Sequence, residues 1–439
     1  MMTADTPSPL VPKLRFPEFC STGDWRFQPL SAIAELISER VGTSKCVPMS
    51  VTTGVGLLSQ EEKFGRTIAG NSYKNYIRLK TNDFAYNKSA TKEFPQGYIA
   101  RYSGTRNAAV PNSMFTCFRP DTAVVIPEYL DHLLHGNHHG RWLRKYITVG
   151  ARAHGALSVS DDALMSMPVP LPPVAVSHPE QQKIADCLGS LDDLVTAKAR
   201  KIEALRQHKQ GLMQQLFLQP SETVPRLRFP EFQDAGDWMT KILDKQGNFL
   251  SSLAGKTAKD FDTGDAAFIP YMNVFVNTFT NILDLRSVNV GSDESQNAVA
   301  KGDVFFTISS EIPDEAGMSS VLLEEIENCY LNSFCALFRF DDGKSPNPVF
   351  LGFLLRSTLA RAHLSRGAQG ATRYNISKAT FRNLPLQLPS GPEQQKIADC
   401  LGSLDDLIMA EGRKLEALRQ HKQGLMQQLF PSQGRASEL

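Results

Sequence analysis

The chain has 439 residues, too many for one ordinary hydrophobic core, so two or more domains are expected. Charged residues make up 21% and the net charge is +1, which excludes a disordered polyelectrolyte, so any nucleic-acid contact has to rest on local charge. The seven cysteines are scattered and never spaced C-x-x-C, which argues against a disulfide framework and a zinc site and fits a reducing cytoplasm. The start lacks a basic region followed by an apolar core, and no stretch approaches about 18 uninterrupted apolar residues. The expectation is a cytoplasmic protein with no membrane contact.

After a loose beginning (1–11), the first marker is PKLRFPEFCSTGDW, Pro12 to Trp25; it returns as PRLRFPEFQDAGDW, Pro225 to Trp238, an offset of 213 (225 − 12). A longer marker, PEQQKIADCLGSLDDL and onward from Pro179 to Phe217, returns at the same offset from Pro392 to Phe430 with five of 39 positions changed. The stretches between them, Arg26 to His178 and Met239 to Gly391, show almost no similarity to each other despite equal length. The predicted segments are a mixed domain over 12–178, a helix over 179–217, a linker over 218–224, a second mixed domain over 225–391, a helix over 392–430 and a tail over 431–439. Near-identical helices are not needed merely to pack a core, which accepts many apolar sequences. Two copies of one surface suggest one partner bound twice, and two unlike inserts suggest two unlike ligands. Recent duplication or recombination between the repeats is the other explanation.

Each long marker opens with Pro-Glu, a favoured first-turn pair. Its seam positions, mostly apolar, alternate steps of four and three: Ile184, Leu188, Leu191, Val195, Lys198, Ile202, Leu205, Lys209, Leu212 and Leu216 in one copy, and Ile397, Leu401, Leu404, Ile408, Glu411, Leu415, Leu418, Lys422, Leu425 and Leu429 in the other. This is a coiled-coil seam, and with a domain between the two helices in one chain the antiparallel pairing is the simpler one. The central seam position differs, so a Lys198 to Glu411 ion pair is expected; the alternative is that both side chains snorkel into solvent. At about 1.5 Å per residue such a helix is roughly 58 Å long, which caps the spacing of modules at its ends at about 17 base pairs at about 3.4 Å per step.

On the doubled LRFPEF...GDW entry and the doubled PEQQKIAD helix, each helix preceded by a proline-rich strand (MPVPLPP, Met167 to Pro173; LPLQLPS, Leu384 to Ser390), the chain resembles the specificity (S) subunits of Type I restriction-modification enzymes over roughly residues 12 to 430. The resemblance implies an α+β fold: two mixed α/β target recognition domains separated by two long helices that form an antiparallel coiled coil in a pseudo-two-fold arrangement. It implies that each domain reads one half of a bipartite site on double-stranded DNA, and that the helices set the spacing and dock two methyltransferase (M) subunits. Translocase-nuclease (R) subunits join the full complex. S-adenosylmethionine, ATP and Mg are then expected only on partner subunits, with no cofactor or metal in this chain and no catalytic residue.

The residues agree with a subunit that does no chemistry, since no N-P-P-[FYW] methylation motif, phosphate loop or complete nuclease cluster is found. His135, His138 and His139 in HGNHHG have no nearby cysteine or acidic partner in sequence and read as a solvated turn. A stand-alone methyltransferase or nuclease with unrecognised motifs, or a coiled-coil scaffold, are the rival readings.

Local charge separates the two inserts. Arg26 to His178 has 17 Lys/Arg against 11 Asp/Glu, or +6, whereas Met239 to Gly391 has 14 against 16, or −2. The first carries the expected footprint of phosphate contact, and the second must rely on clustered charge. The expected DNA-facing residues in the first are Lys88, Lys92, Arg101, Tyr102, Arg106 and Asn107, then Arg144, Arg152 and His154; in the second, the acid-free stretch Leu359 to Arg382 offers Arg361, Arg366, Gln369, Arg373 and Lys378. Arginine to guanine and amide to adenine are the pairings that would read bases, although most such contacts go to phosphate.

Overall fold

A computed structural model describes residues 10–52, 54–147 and 157–431. The chain divides into two units, Met1–Ala199 with Lys414–Leu439, and Arg200–Arg413. Each unit therefore holds one variable stretch, the opening of the helix that follows it and the far end of the other helix.

In the first unit an antiparallel sheet has the strand order Ala34–Leu36, Phe115–Pro120, Phe84–Asn87, Tyr98–Arg101. In the second the order is Gly247–Leu250, Cys335–Phe340, Val304–Thr307, Ser319–Val321, again antiparallel throughout. Beside each sheet lies a parallel pair, Val47–Thr52 with Ala108–Val110 and Phe261–Ile269 with Cys329–Leu331. Two stretches without recognisable similarity thus build one topology. A shared polar fixture pins it: Asp83 accepts the Lys80 amide at 2.6 Å and a bidentate pair from Arg119 at 2.7 and 2.8 Å. Asp303 does the same with the Ala300 amide at 2.7 Å and Arg339 at 2.8 and 2.7 Å. Both aspartates are 1% exposed, so each needs its charge fully paired to be tolerated inside.

The repeated markers do the same work twice. The proline-rich strands Pro168–Leu171 and Pro385–Leu388 pair antiparallel with Arg26–Pro29 and Met239–Ile242. The long helices run Ser177–Leu216 and Gly391–Leu429, each with its glutamate in the first turn. Glu180 takes both Nε and Nη2 of Arg15, at 2.7 and 2.8 Å, and Glu393 takes those of Arg228, both at 2.8 Å. The amide of Leu14 bonds to the carbonyl of Gln428, and that of Leu227 to Gln215, both at 3.0 Å, so each entry segment is clipped to the far end of a helix within its own unit.

Each core takes in both helices. In the first unit Ile184, Ala185 and Leu188 pack with Leu429 and Phe430 among Trp25, Phe84, Phe118 and Tyr129. In the second, Ile397, Ala398 and Leu401 pack with Leu216, Phe217 and Leu218 among Trp238, Phe306, Phe338 and Phe350. Leu218 is 3% exposed, so the segment expected to be a linker from 218 begins inside the core.

The histidine-rich HGNHHG is not a solvated turn. It joins the helices Pro127–His135 and His138–Leu143 through Asn137 in the left-handed region (φ 59°). His138 and His139 are buried, with Nε2 on the carbonyls of Pro168 (2.7 Å) and Gly97 (3.2 Å). Burial holds both imidazoles near about 4, below the ordinary histidine range. The unfolded chain binds these protons from about pH 6.5 downward and the folded unit does not, so the first unit loses stability as pH falls from about 6.5 to 4. Hydrogen exchange followed against pH is expected to show protection of the 127–143 helices falling over that window, and a double H138N/H139N variant to flatten the dependence.

Candidate nucleic-acid interface

In the second unit the acid-free stretch forms the helix Thr358–Arg366, a hairpin of Ala368–Gln369 with Tyr374–Ile376, and the short helix Lys378–Arg382. The hairpin is anchored because Tyr374–Asn375 also pairs with Ser309–Ser310. Its turn depends on Gly370, at φ +149°, where a Cβ would stand 2.0 Å from the carbonyl oxygen of Arg373. The tip exposes Gln369 and Arg373, and Lys378 is exposed at the first position of the short helix. Arg361 is a correction: its guanidinium turns inward and donates to the carbonyls of Asp314, Ala316 and Gly317, at 2.6 to 2.9 Å. Arg366 is exposed but lines a different cleft of about 570 Å³, with His363, Asn383 and Gln387.

Two further clefts of the second unit share Leu253, Ala254 and Ser333 as a common wall. One, about 640 Å³, is lined by Phe249, Leu250, Ser251, Ile376 and Lys378. The other, about 700 Å³, is lined by Lys256, Tyr271, Met272, Arg286, Asn332 and Phe334. Together they form a groove whose lining residues include three cations and no carboxylate. Phe334 stands 53% exposed, its amide held by Asn332 Oδ1 at 2.8 Å, and the Arg373 guanidinium lies 6.0 Å from its ring centre. Lys256 and Arg286 have acids of their own, Glu294 and Asp262, each at 2.6 Å. Arg373 and Lys378 make no ion pair among the described residues.

The first unit opens a cleft of about 280 Å³ at the corresponding sheet edge, lined by Leu36, Ile37, Ser38, Arg40, Lys88, Asn112, Thr116 and Asp161. Ala34 faces Pro120 as Gly247 faces Phe340, and the short helices start at Asp161 and Lys378, each just after a serine cap. The same wall position therefore carries an acid in one unit and a base in the other. Asp161 accepts from Thr116 Oγ1 at 2.6 Å and Lys88 Nζ at 3.2 Å.

Of the other residues expected to face DNA in the first unit, Lys92, Arg106, Asn107 and Arg144 are exposed. Arg101 and Tyr102 are corrections: Arg101 is spent on Glu128, Asp131 and Asn82, and Tyr102, 6% exposed, donates its hydroxyl to the Arg106 carbonyl at 2.6 Å. Arg101 ends and Tyr102 follows the strand Tyr98–Arg101, whose other residues are all buried, a fact that charge counting does not register. Arg152 and His154 lie outside the described residues.

Sequence reasoning missed Arg40, Asp161, Lys256, Arg286 and Phe334. No local signal marks Phe334, a single phenylalanine in an ordinary turn. The paired Asp83/Arg119 and Asp303/Arg339 did leave a trace, since both pairs are 36 residues apart.

The seam residues Ile184, Leu188, Ile202, Ile397, Leu401, Glu411 and Leu415 are buried. Leu191, Val195, Lys198, Leu205, Leu212, Leu404, Ile408, Leu418 and Leu425 are half-buried. Within the first unit Lys422 Nζ meets Asp192 at 2.5 Å, and within the second Lys209 Nζ meets Asp405 at 2.6 Å. These are one pair built twice, since Asp192 and Lys209 repeat as Asp405 and Lys422, and in each unit they hold the two helix segments antiparallel. Glu411, expected opposite Lys198, accepts from Lys201 Nζ at 3.2 Å within the second unit, a contact the seam pattern did not suggest.

Two modules of one topology, each opening a cleft at the corresponding sheet edge and each mounted on a copy of the same helix, define a tandem recognition protein. The family described as the Type I restriction modification DNA specificity domain matches residues 241–420. The putative type I restriction enzyme MjaX specificity subunit of Methanocaldococcus jannaschii is 22% identical over 342 residues, covering 76% of this chain and 74% of that one. The MjaVIII specificity subunit of the same organism is 24% identical over 275 residues, 62% of this chain and 63% of that one, a little under two thirds of its length. Among solved structures, a chain from work on complex assembly and conformational transition of the type I R-M system has a TM-score of 0.58 at 16% identity, covering 93% of this chain and 98% of that one. The Type I S subunit from M. genitalium has a TM-score of 0.52 at 14% identity, with 97% and 100% covered; at these identities the likeness is one of fold. The chain thus carries a Type I restriction modification DNA specificity domain over residues 241–420 and is similar over most of its length to specificity subunits of type I restriction enzymes.

Proposed function

We propose that each module reads one half of a bipartite, asymmetric site on double-stranded DNA, and that the repeated helices set the half-site spacing and dock two methyltransferase subunits, with translocase-nuclease subunits completing the complex. S-adenosylmethionine, ATP and Mg then belong to those partners. One observation carries this reading: one topology is built from two unlike sequences while the helices beneath stay nearly identical. Constant surfaces suit a constant partner, and unlike clefts suit unlike half-sites.

Genome-wide mapping of methylated adenines in cells with and without this subunit tests it. The expected result is a two-part motif with a fixed spacer that vanishes with the subunit. A continuous palindromic motif would contradict two unlike readers, and methyl transfer by the purified chain alone would establish an enzyme instead.

A further inference from the structure

The second variable stretch has 14 basic against 16 acidic residues, so bulk charge repels a phosphate backbone there while the first, at 17 against 11, attracts it. Placement eases this difficulty: none of those 16 carboxylates lines either cleft, and although Lys256 and Arg286 are paired with Glu294 and Asp262, Lys378 on the wall and Arg373 at the rim make no ion pair among the described residues. At its rim stands Phe334, 53% exposed with the Arg373 guanidinium 6.0 Å from its ring centre. Exposing a phenylalanine to water is unfavourable, and a hydrogen bond donated by the Phe334 backbone N–H to Asn332 Oδ1 holds the turn that presents it. A flat apolar face beside a cation with no ion pair among the described residues, at a groove whose lining carries no carboxylate, matches a duplex whose base steps can be wedged and whose backbone is anionic.

We propose that Phe334 and Arg373 form the specificity-determining contact of the second module, Phe334 stacking on or wedging beside a base step of its DNA half-site and Arg373 holding the adjacent phosphate. The second half-site is then held mainly by apolar contact and the first mainly by charge. The inference rests on the DNA-reading function proposed above and adds how the two modules differ physically. Apolar wedges of this kind favour steps that unstack easily, so the second half-site is expected to carry a flexible pyrimidine–purine step at that position.

The test uses the full-length chain in its complex with methyltransferase subunits and duplexes carrying the mapped target, intact or with either half-site scrambled, titrated between about 50 and 200 mM salt. F334A is expected to lose about ten-fold in affinity for the intact site, to lose nothing further on the duplex whose second half-site is scrambled, and to leave the slope of log K against log salt unchanged. R373A is expected to reduce that slope by about one, and F334W to restore affinity. Binding by F334A within two-fold of the unaltered complex, with discrimination intact, overturns the proposal while the function stands. Equal losses on intact and scrambled duplexes overturn it as well, as does loss of the methyltransferase subunits on co-purification, which would make the rim a protein interface. If the unaltered complex discriminates no duplex, the function itself falls, and the contact with it.

Discussion

Replacing Glu393 with alanine is expected to destabilise the second unit by about 3–5 kcal/mol, because it strands a buried guanidinium. Arg228 and Glu393 have side chains 7% and 1% exposed, and the carboxylate also accepts the indole N–H of Trp238 at 3.4 Å. Arg228 retains only its bonds to the carbonyls of Ala235 and Gly236. Glu180 and Arg15, at 1% and 5%, repeat the arrangement in the first unit, where Glu180→Ala is expected to cost a similar amount. The pair fastens the LRFPEF entry to the first turn of a long helix, so its loss frees both ends of a module together. Denaturant unfolding with hydrogen exchange resolved by unit checks this. Each substitution should lower protection in its own unit, and a cost below about 1 kcal/mol would show that the pair does not anchor the entry segment.

Arg356→Ala is expected to cost about 3 kcal/mol and to loosen one wall of the groove. This arginine has no acid partner among the described residues, and burial pulls its guanidinium down to about 10. It is held by carbonyls alone: Ser319, Val274, Phe275 and Asn277, at 2.7 to 3.1 Å. Three of those carbonyls close the end of the helix Tyr271–Val276, which supplies Tyr271 and Met272 to the groove. Truncation leaves several buried acceptors unsatisfied at once, and lysine lacks the fork to replace them. Hydrogen exchange should show lost protection concentrated in 271–277 and 319–321. Uniform loss across the unit, or none, would mean that the carbonyl cage is not what orders that helix.

Both effects concern polar groups that the sequence shows only as charges. Arg15, Arg228 and Arg356 look in sequence no different from Arg106 or Arg373, yet the first three are interior fixtures and the last two are exposed. Arg101, Tyr102 and Arg361 were read as facing DNA for the same reason: a basic or aromatic residue in a basic stretch does not disclose which side of its strand or helix it occupies. Burial and partner decide that, and the partners lie far away in sequence, 27 residues on in Arg101 with Glu128 and 44 residues back in Arg361 with Gly317. The histidines of HGNHHG misled in the opposite sense. Polar composition suggested solvent, whereas backbone carbonyls 30 and 42 residues distant accept or oppose their ring nitrogens inside the core.

What was legible from residues alone was whatever repeats or is local. The doubled markers, the helices to within two residues of their ends, their antiparallel seam and the proline-rich strands all follow from periodicity, first-turn chemistry and a fixed offset. The shared topology of the two variable stretches was not legible. FAYN at Phe84–Asn87 and VFFT at Val304–Thr307 occupy the same place in their sheets, and any apolar strand of suitable size fills that place equally well. Sheet order is set by pairing between distant segments, and groove lining by which side chains that pairing leaves uncovered. Those are properties of the folded chain, so Phe334 acquires its position at the groove rim only once strands far apart in sequence have met.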